Sequence, residues 1–147
     1  MTTAEIVDRV LSETKSVLLI DWPTRDVPDT LARAGLVVVS NDGPDEYNAY
    51  EVDGDEVLLR SVGRLPEHAD LVYTHRPIDE LPEIVDTARS VGAHAVWIQS
   101  GRDETGAKDP RGCWLPHGDL ERAREIVEAA GLTFISEPYI ADAFRGR

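Results

Sequence analysis

Short, almost wholly apolar runs alternate along the chain with segments whose apolar residues recur every three or four positions. The runs Ser16–Ile20, Leu36–Val39, Leu71–Thr74, Ala95–Gln99 and Thr133–Ile135 are bounded by polar or glycine-bearing turns. Strands buried on both faces of a parallel sheet read this way, because neither side can be polar. Between them lie helical patterns. Ile6, Val7, Val10 and Leu11 mark a flanking helix near the start, and Leu31, Ala32 and Ala34 one that begins near Asp26 with Pro28 in its first turn and stops at Gly35. Leu81, Ile84, Val85, Ala88 and Val91 mark a helix over 79–91 closed by Gly92, and Leu120, Ala123, Ile126, Val127 and Ala130 one over 119–130 closed by Gly131. Tyr139–Phe144 reads as a short closing helix.

Five strands alternating with helices predict an α/β class fold: a doubly wound, mostly parallel five-stranded sheet with helices on both faces. Residues 50–52 and 56–60 flank Asp53-Gly54-Asp55, the turn signal of a β-hairpin, read as a small exposed excursion. A polar loop over 102–116 is long for a compact fold, as lids and binding loops are. The stretch Ala93–Gly101 carries the strongest functional signal, since an apolar strand there delivers Gln99, Ser100 and the Gly101 turn to the sheet edge where α/β folds bind ligands. The 147 residues are expected to form one domain over 1–147.

Charge narrows the partners. The net charge is −13, and lysine is nearly absent while arginine is common. Nucleic acid and anionic membranes would meet a repulsive field, so neither is expected as a partner. A small anionic ligand stays open, because a few arginines such as Arg25, Arg76 and Arg102 act through short contacts. A protein partner or a homo-oligomer is compatible with the same surface. The single Cys113 permits no intrachain disulfide and fits a reducing compartment, hence a cytoplasmic expectation. Met1–Ser12 carries Glu5 and Asp8 without a long apolar core, so it reads as neither signal peptide nor membrane span.

Several motifs fall short. No G-x-G-x-x-G follows the first strand, which leaves Asp42, about twenty residues on, a turn aspartate rather than a ribose-binding acid. Gly101, Gly106 and Lys108 only imitate a phosphate loop, because Ala107 precedes the lysine and Asp109 follows it. Cys113 and His117 are two ligand types without the partners a metal site needs, so no metal is expected. His75 could pair with Ser100 or Cys113, but no nucleophile elbow is present and no catalytic residue is assigned.

One set of residues is specific. Asp70-Leu71-Val72-Tyr73-Thr74-His75-Arg76-Pro77, the helix that follows, and then Trp97, Gln99 and Gly101 resemble the small stand-alone CoA-binding proteins. That resemblance implies a Rossmann-like fold related to the nucleotide-binding domain of succinyl-CoA ligases, with CoA as ligand. It further implies that His75, Arg76 and Pro77 line one wall of the groove and Gln99, Ser100 and Gly101 the other. Ser40 and Asn41 match the polar turn near the adenosine end, and Trp22, Pro23 and Thr24 stand where the family has its phosphate turn. That turn is Gly-Ala-Ser in the family and Asp21-Trp22-Pro23 here. The chain is therefore read as a non-catalytic binding module for CoA or a related adenine nucleotide. The competing reading is a ligand-free interaction or scaffold protein on a degenerate CoA-binding fold.

Overall fold

The computed structural model describes residues 1–103, 105–109, 112, 114–116 and 118–145. In chain order these form α1 (Thr3–Glu13), β1 (Ser16–Ile20), α2 (Asp26–Arg33), β2 (Val37–Gly43), β3 (Glu46–Asp53), β4 (Glu56–Ser61), β5 (Leu71–Thr74), α3 (Leu81–Ser90), β6 (Ala95–Ile98), α4 (Leu120–Ala129), β7 (Thr133–Ile135) and α5 (Ile140–Phe144). A single 3-10 turn over Ile78–Glu80 leads into α3. No helix among the described residues is long and apolar enough to cross a membrane.

All strands belong to one sheet of order β4-β3-β2-β1-β5-β6-β7. The five strands expected from the sequence are its parallel part, and the sheet has seven because the hairpin is not an excursion. β3 runs antiparallel along the whole outer edge of β2, from Val38↔Tyr50 to Gly43↔Glu46. The reason is the edge itself: without β3, the backbone N–H and C=O groups of β2 would stand unpaired. Burial of Ala49 and Tyr50 fixes the register.

Side-chain alternation splits the core into two layers. Val17 and Leu19, Leu71 and Tyr73, Ala95 and Trp97 face α1, α2 and α5. Leu18, Val72, Val96 and Ile98 face α3 and α4. Every strand of the parallel part is thus apolar on both sides, as its sequence requires. Asp70, just before β5, locks the entry to the neighbouring strand: its Oδ2 accepts the N–H groups of Lys15 at 2.8 Å and Ser16 at 3.2 Å.

The parallel strands lie in the order β2-β1-β5-β6-β7, so the chain reverses its direction of winding between β1 and β5. Crossovers leave that point to opposite faces and open a crevice outside the carboxyl ends of the two strands. The residues delivered there are Asp21 after β1 and His75 after β5.

Candidate functional site at the carboxyl ends of the strands

β1 ends in a residue with unusual backbone. Asp21 adopts a φ of 67°, a left-handed conformation that only Gly, Asn and Asp visit readily. Its carboxylate faces His75 Nδ1 and Arg76 Nη1, each 3.8 Å away. The His75 ring is the main cause that holds the Asp21 carboxyl below the usual carboxylate range. Burial pushes the other way, while Arg76 and the Trp22 N–H add to the lowering. Asp21 is therefore anionic at neutral pH. Arg76 also donates from Nε and Nη2 to Glu80 Oε2, at 3.0 and 2.6 Å, one helical turn on. The guanidinium is thus held between two carboxylates, with its charge strengthened first by Glu80 and then by Asp21.

The facing wall comes from the end of β6. Gly101 has a φ of 74°, and a Cβ placed on it would overlap the His75 ring. Glycine is required there twice over, by the turn and by the approach of the imidazole. His75 Nε2 is buried at that contact with no hydrogen-bond partner among the described residues. Ser100 Oγ instead accepts the N–H of Arg102 at 3.2 Å.

Three hollows lie side by side along this edge and share lining residues. One of about 510 Å³ is lined by Asp21, Trp22, Asn41, Asp42, Arg76 and Glu80, among others. A second, about 290 Å³, shares Arg76 with it and adds His75, Pro77, Ser100 and Arg102. The third, about 350 Å³, shares His75, Ser100 and Arg102, and adds Pro23, Gly101, Lys108 and Asp109. Trp22, Pro23, Asn41, His75, Arg76, Pro77, Ser100 and Gly101, singled out from the sequence, all line this groove. Trp22 is braced edge-on against Tyr50, ring centroids 6.5 Å apart.

Ser40, Gln99 and Thr24 are placed differently. Ser40 is wholly buried and donates to Asp42 Oδ2 at 2.9 Å, so it positions a groove residue from beneath. Thr24 Oγ1 lies 3.4 Å from the Tyr139 hydroxyl. Gln99 is wholly buried: its Nε2 donates to the Pro138 carbonyl at 3.0 Å, and its Oε1 accepts the N–H of Ile140 at 3.3 Å. Trp97 Nε1 donates to the same carbonyl at 3.1 Å. Gln99 thus ties the end of β6 to the start of α5. Gln99→Leu leaves the Ile140 N–H unpaired, and is expected to cost about 1–3 kcal/mol in a denaturant melt.

Sequence reading set Asp42 aside as a turn residue and missed Glu80. The signal for Glu80 was its spacing of four from Arg76 at a helix start. The loop after Gly101 is partly ordered by its own contacts: Asp109 N–H donates to the Gly101 carbonyl at 2.8 Å, and Arg102 Nη1 to the Gly106 carbonyl at 2.8 Å. Cys113 and His117, weighed as metal ligands, lie outside the described residues. Among the described residues no group of three or more His, Cys, Asp or Glu could hold a metal ion.

Residues 21–140 match the family model described as "CoA binding domain". Solved structures of similar fold include Prb, the PH1109 protein redesigned for binding, with a TM-score of 0.60 and 17% identity over 97% of this chain and 89% of that one. Cell-free ID.343 from Thermus thermophilus gives 0.57 and 22% identity over 97% and 96%. A hypothetical protein from Pyrococcus horikoshii OT3 gives 0.57 and 16% identity over 97% and 89%. At these identities the structures share the fold. No curated protein matches the chain significantly.

Proposed function

The chain belongs to the CoA binding domain family, and from that premise we propose that it is a non-catalytic module that holds CoA or a related adenine nucleotide across the carboxyl ends of β2, β1, β5 and β6. The observation that carries this reading is the cluster of three neighbouring hollows at the switch point, with Arg76 lining two of them and His75 lining two. Asn41 and Asp42 suit the hydroxyls of the adenosine end. Arg76, Arg102 and Lys108 supply the cations that phosphates need in an otherwise acidic chain. Pro23 and Gly101 offer the apolar, close-approaching surface that a pantetheine arm needs.

His75 Nε2 makes no hydrogen bond to Ser100, whose hydroxyl serves the Arg102 turn. A cytoplasmic location, consistent with a single cysteine, completes the proposal.

One observation favours the ligand-free alternative: Asp21 places a carboxylate where the family turn would cradle phosphate. Titration calorimetry with CoA separates the two readings. Saturable binding is expected, with Arg76→Ala weakening it about tenfold, the scale of one charge-assisted contact. No heat at millimolar CoA would favour the scaffold.

A further inference from the structure

We infer that β4 is an interaction edge for a second copy of this chain, the two β4 strands pairing antiparallel across a two-fold axis centred on Leu58. The inference is independent of the ligand reading. β4 closes one margin of the sheet with six residues, whereas β7 at the other margin has three. Two devices that commonly blunt a sheet margin are missing from it: Glu56–Ser61 contains no proline, and its register with β3 runs without a bulge. Both of its faces are apolar and open. Leu58 is 46% exposed on one and Leu59 48% on the other.

Hydrogen-bond alternation fixes which backbone groups are offered. Val62, in step with β4, donates its N–H to the Tyr47 carbonyl at 2.9 Å, whereas the Val57 carbonyl points away from β3 and accepts Arg25 Nη2 at 2.9 Å. Even-numbered residues therefore face β3, and Val57, Leu59 and Ser61 present their N–H and C=O groups outward. Among the described residues no hydrogen bond takes the outward groups of Leu59 or Ser61. Arg25 approaches from the α2 face, its guanidinium carbon 5.1 Å from the Tyr50 ring centroid, so the Val57 carbonyl keeps a lone pair for a donor in the plane of the sheet.

The side chains of β4 are complementary to themselves. In a two-fold antiparallel pair centred on Leu58, Glu56 of each copy stands opposite Arg60 of the other, Val57 opposite Leu59, and Leu58 opposite Leu58. Other registers lose this match. With the axis one residue away Arg60 would face Leu58 or Gly54, and with the axis on Arg60 the two guanidiniums would face each other. Glu56 makes no ion pair among the described residues, so its carboxylate is available. Arg60 Nε donates to Glu51 on the same face of the sheet, which steadies the guanidinium at the margin and leaves its other N–H groups for a second carboxylate.

A contact made by one short strand per chain is small, so the dimer is expected to be reversible, with a dissociation constant on the order of 10–100 µM. Sedimentation equilibrium of the whole chain without ligand, across and above that range, tests this. Glu56→Arg and Arg60→Glu each turn both charge pairs into like-charge pairs and should weaken the dimer about tenfold or more. Both positions are exposed, so neither change disturbs the core. Mixed in equal amounts, the two variants bring opposite charges together again at both pairs, and a heterodimer about as stable as the unaltered dimer is expected. A chain that stays monomeric above that range would leave the edge to some other strand and overturn the proposal. A dimer indifferent to both single variants, or a mixture that stays monomeric, would overturn it equally.

Discussion

Replacing Gly101 with alanine is expected to lower the thermal unfolding midpoint by about 5–10 °C and to weaken CoA binding more than about tenfold. Two costs add. The left-handed φ of 74° penalises any Cβ, by about 1–2 kcal/mol. The new methyl would also overlap the His75 ring, which must then leave its place between Gly101 and Asp21. Because the ring is shared by two of the three hollows, its displacement deforms the groove where they meet. The two costs separate in a double variant: adding His75→Ala to Gly101→Ala should recover the steric part and leave the backbone part. Circular dichroism melts and calorimetry on the single and double variants check this. A midpoint unchanged in Gly101→Ala would mean that the strand end is not held as described.

Asp21→Asn is expected to act in the opposite direction and to tighten CoA binding, by about 3- to 30-fold, the range for removing one like charge about 6 Å from a phosphate at a partly exposed site. Asparagine is the informative replacement. It tolerates the left-handed backbone that Asp21 adopts, so the fold is little disturbed while the charge is removed. Loss of the attraction to His75 and Arg76 costs little, because all three side chains remain partly in solvent. The carboxyl is held low by His75, burial notwithstanding, so the charge being removed is present throughout the neutral range. The gain should shrink as salt is raised, since part of the repulsion is screened. Equal or weaker affinity in Asp21→Asn would mean that phosphate does not lie against the β1 turn.

The parallel strands were legible because burial on both faces leaves no freedom in sequence. Leu71–Thr74 and Thr133–Ile135 have the bounds their apolar runs dictate. β3 was only half legible. Its inner end carries Glu46, Asn48 and a half-buried Tyr47, a pattern that one-sided pairing at a sheet margin permits and that no periodicity reveals. The Asp53-Gly54-Asp55 turn showed the hairpin but not what it pairs with.

Much of the groove was legible for a related reason: parallel strands present their last residues to one edge, so His75, Arg76, Ser100 and Gly101 had to converge there. The contact of Asp21 with His75 needs the strand order, which places β1 beside β5 across a long stretch of chain. Gln99 could have been placed better. Alternation along Ala95, Trp97 and Gln99 puts all three on one face, beneath α5, and a polar residue there must find buried partners.

The central claim, that CoA occupies the carboxyl ends of the strands around the β1–β5 switch point, is tested most directly by titrating the isotopically labelled protein with CoA and following backbone amide resonances. Shifts are predicted for Asp21, Trp22, Asn41, His75, Arg76, Ser100 and Gly101, with the amides of β4 and the outer face of α3 unmoved. No shift at millimolar CoA, or shifts confined to elements away from these strand ends, would contradict the account.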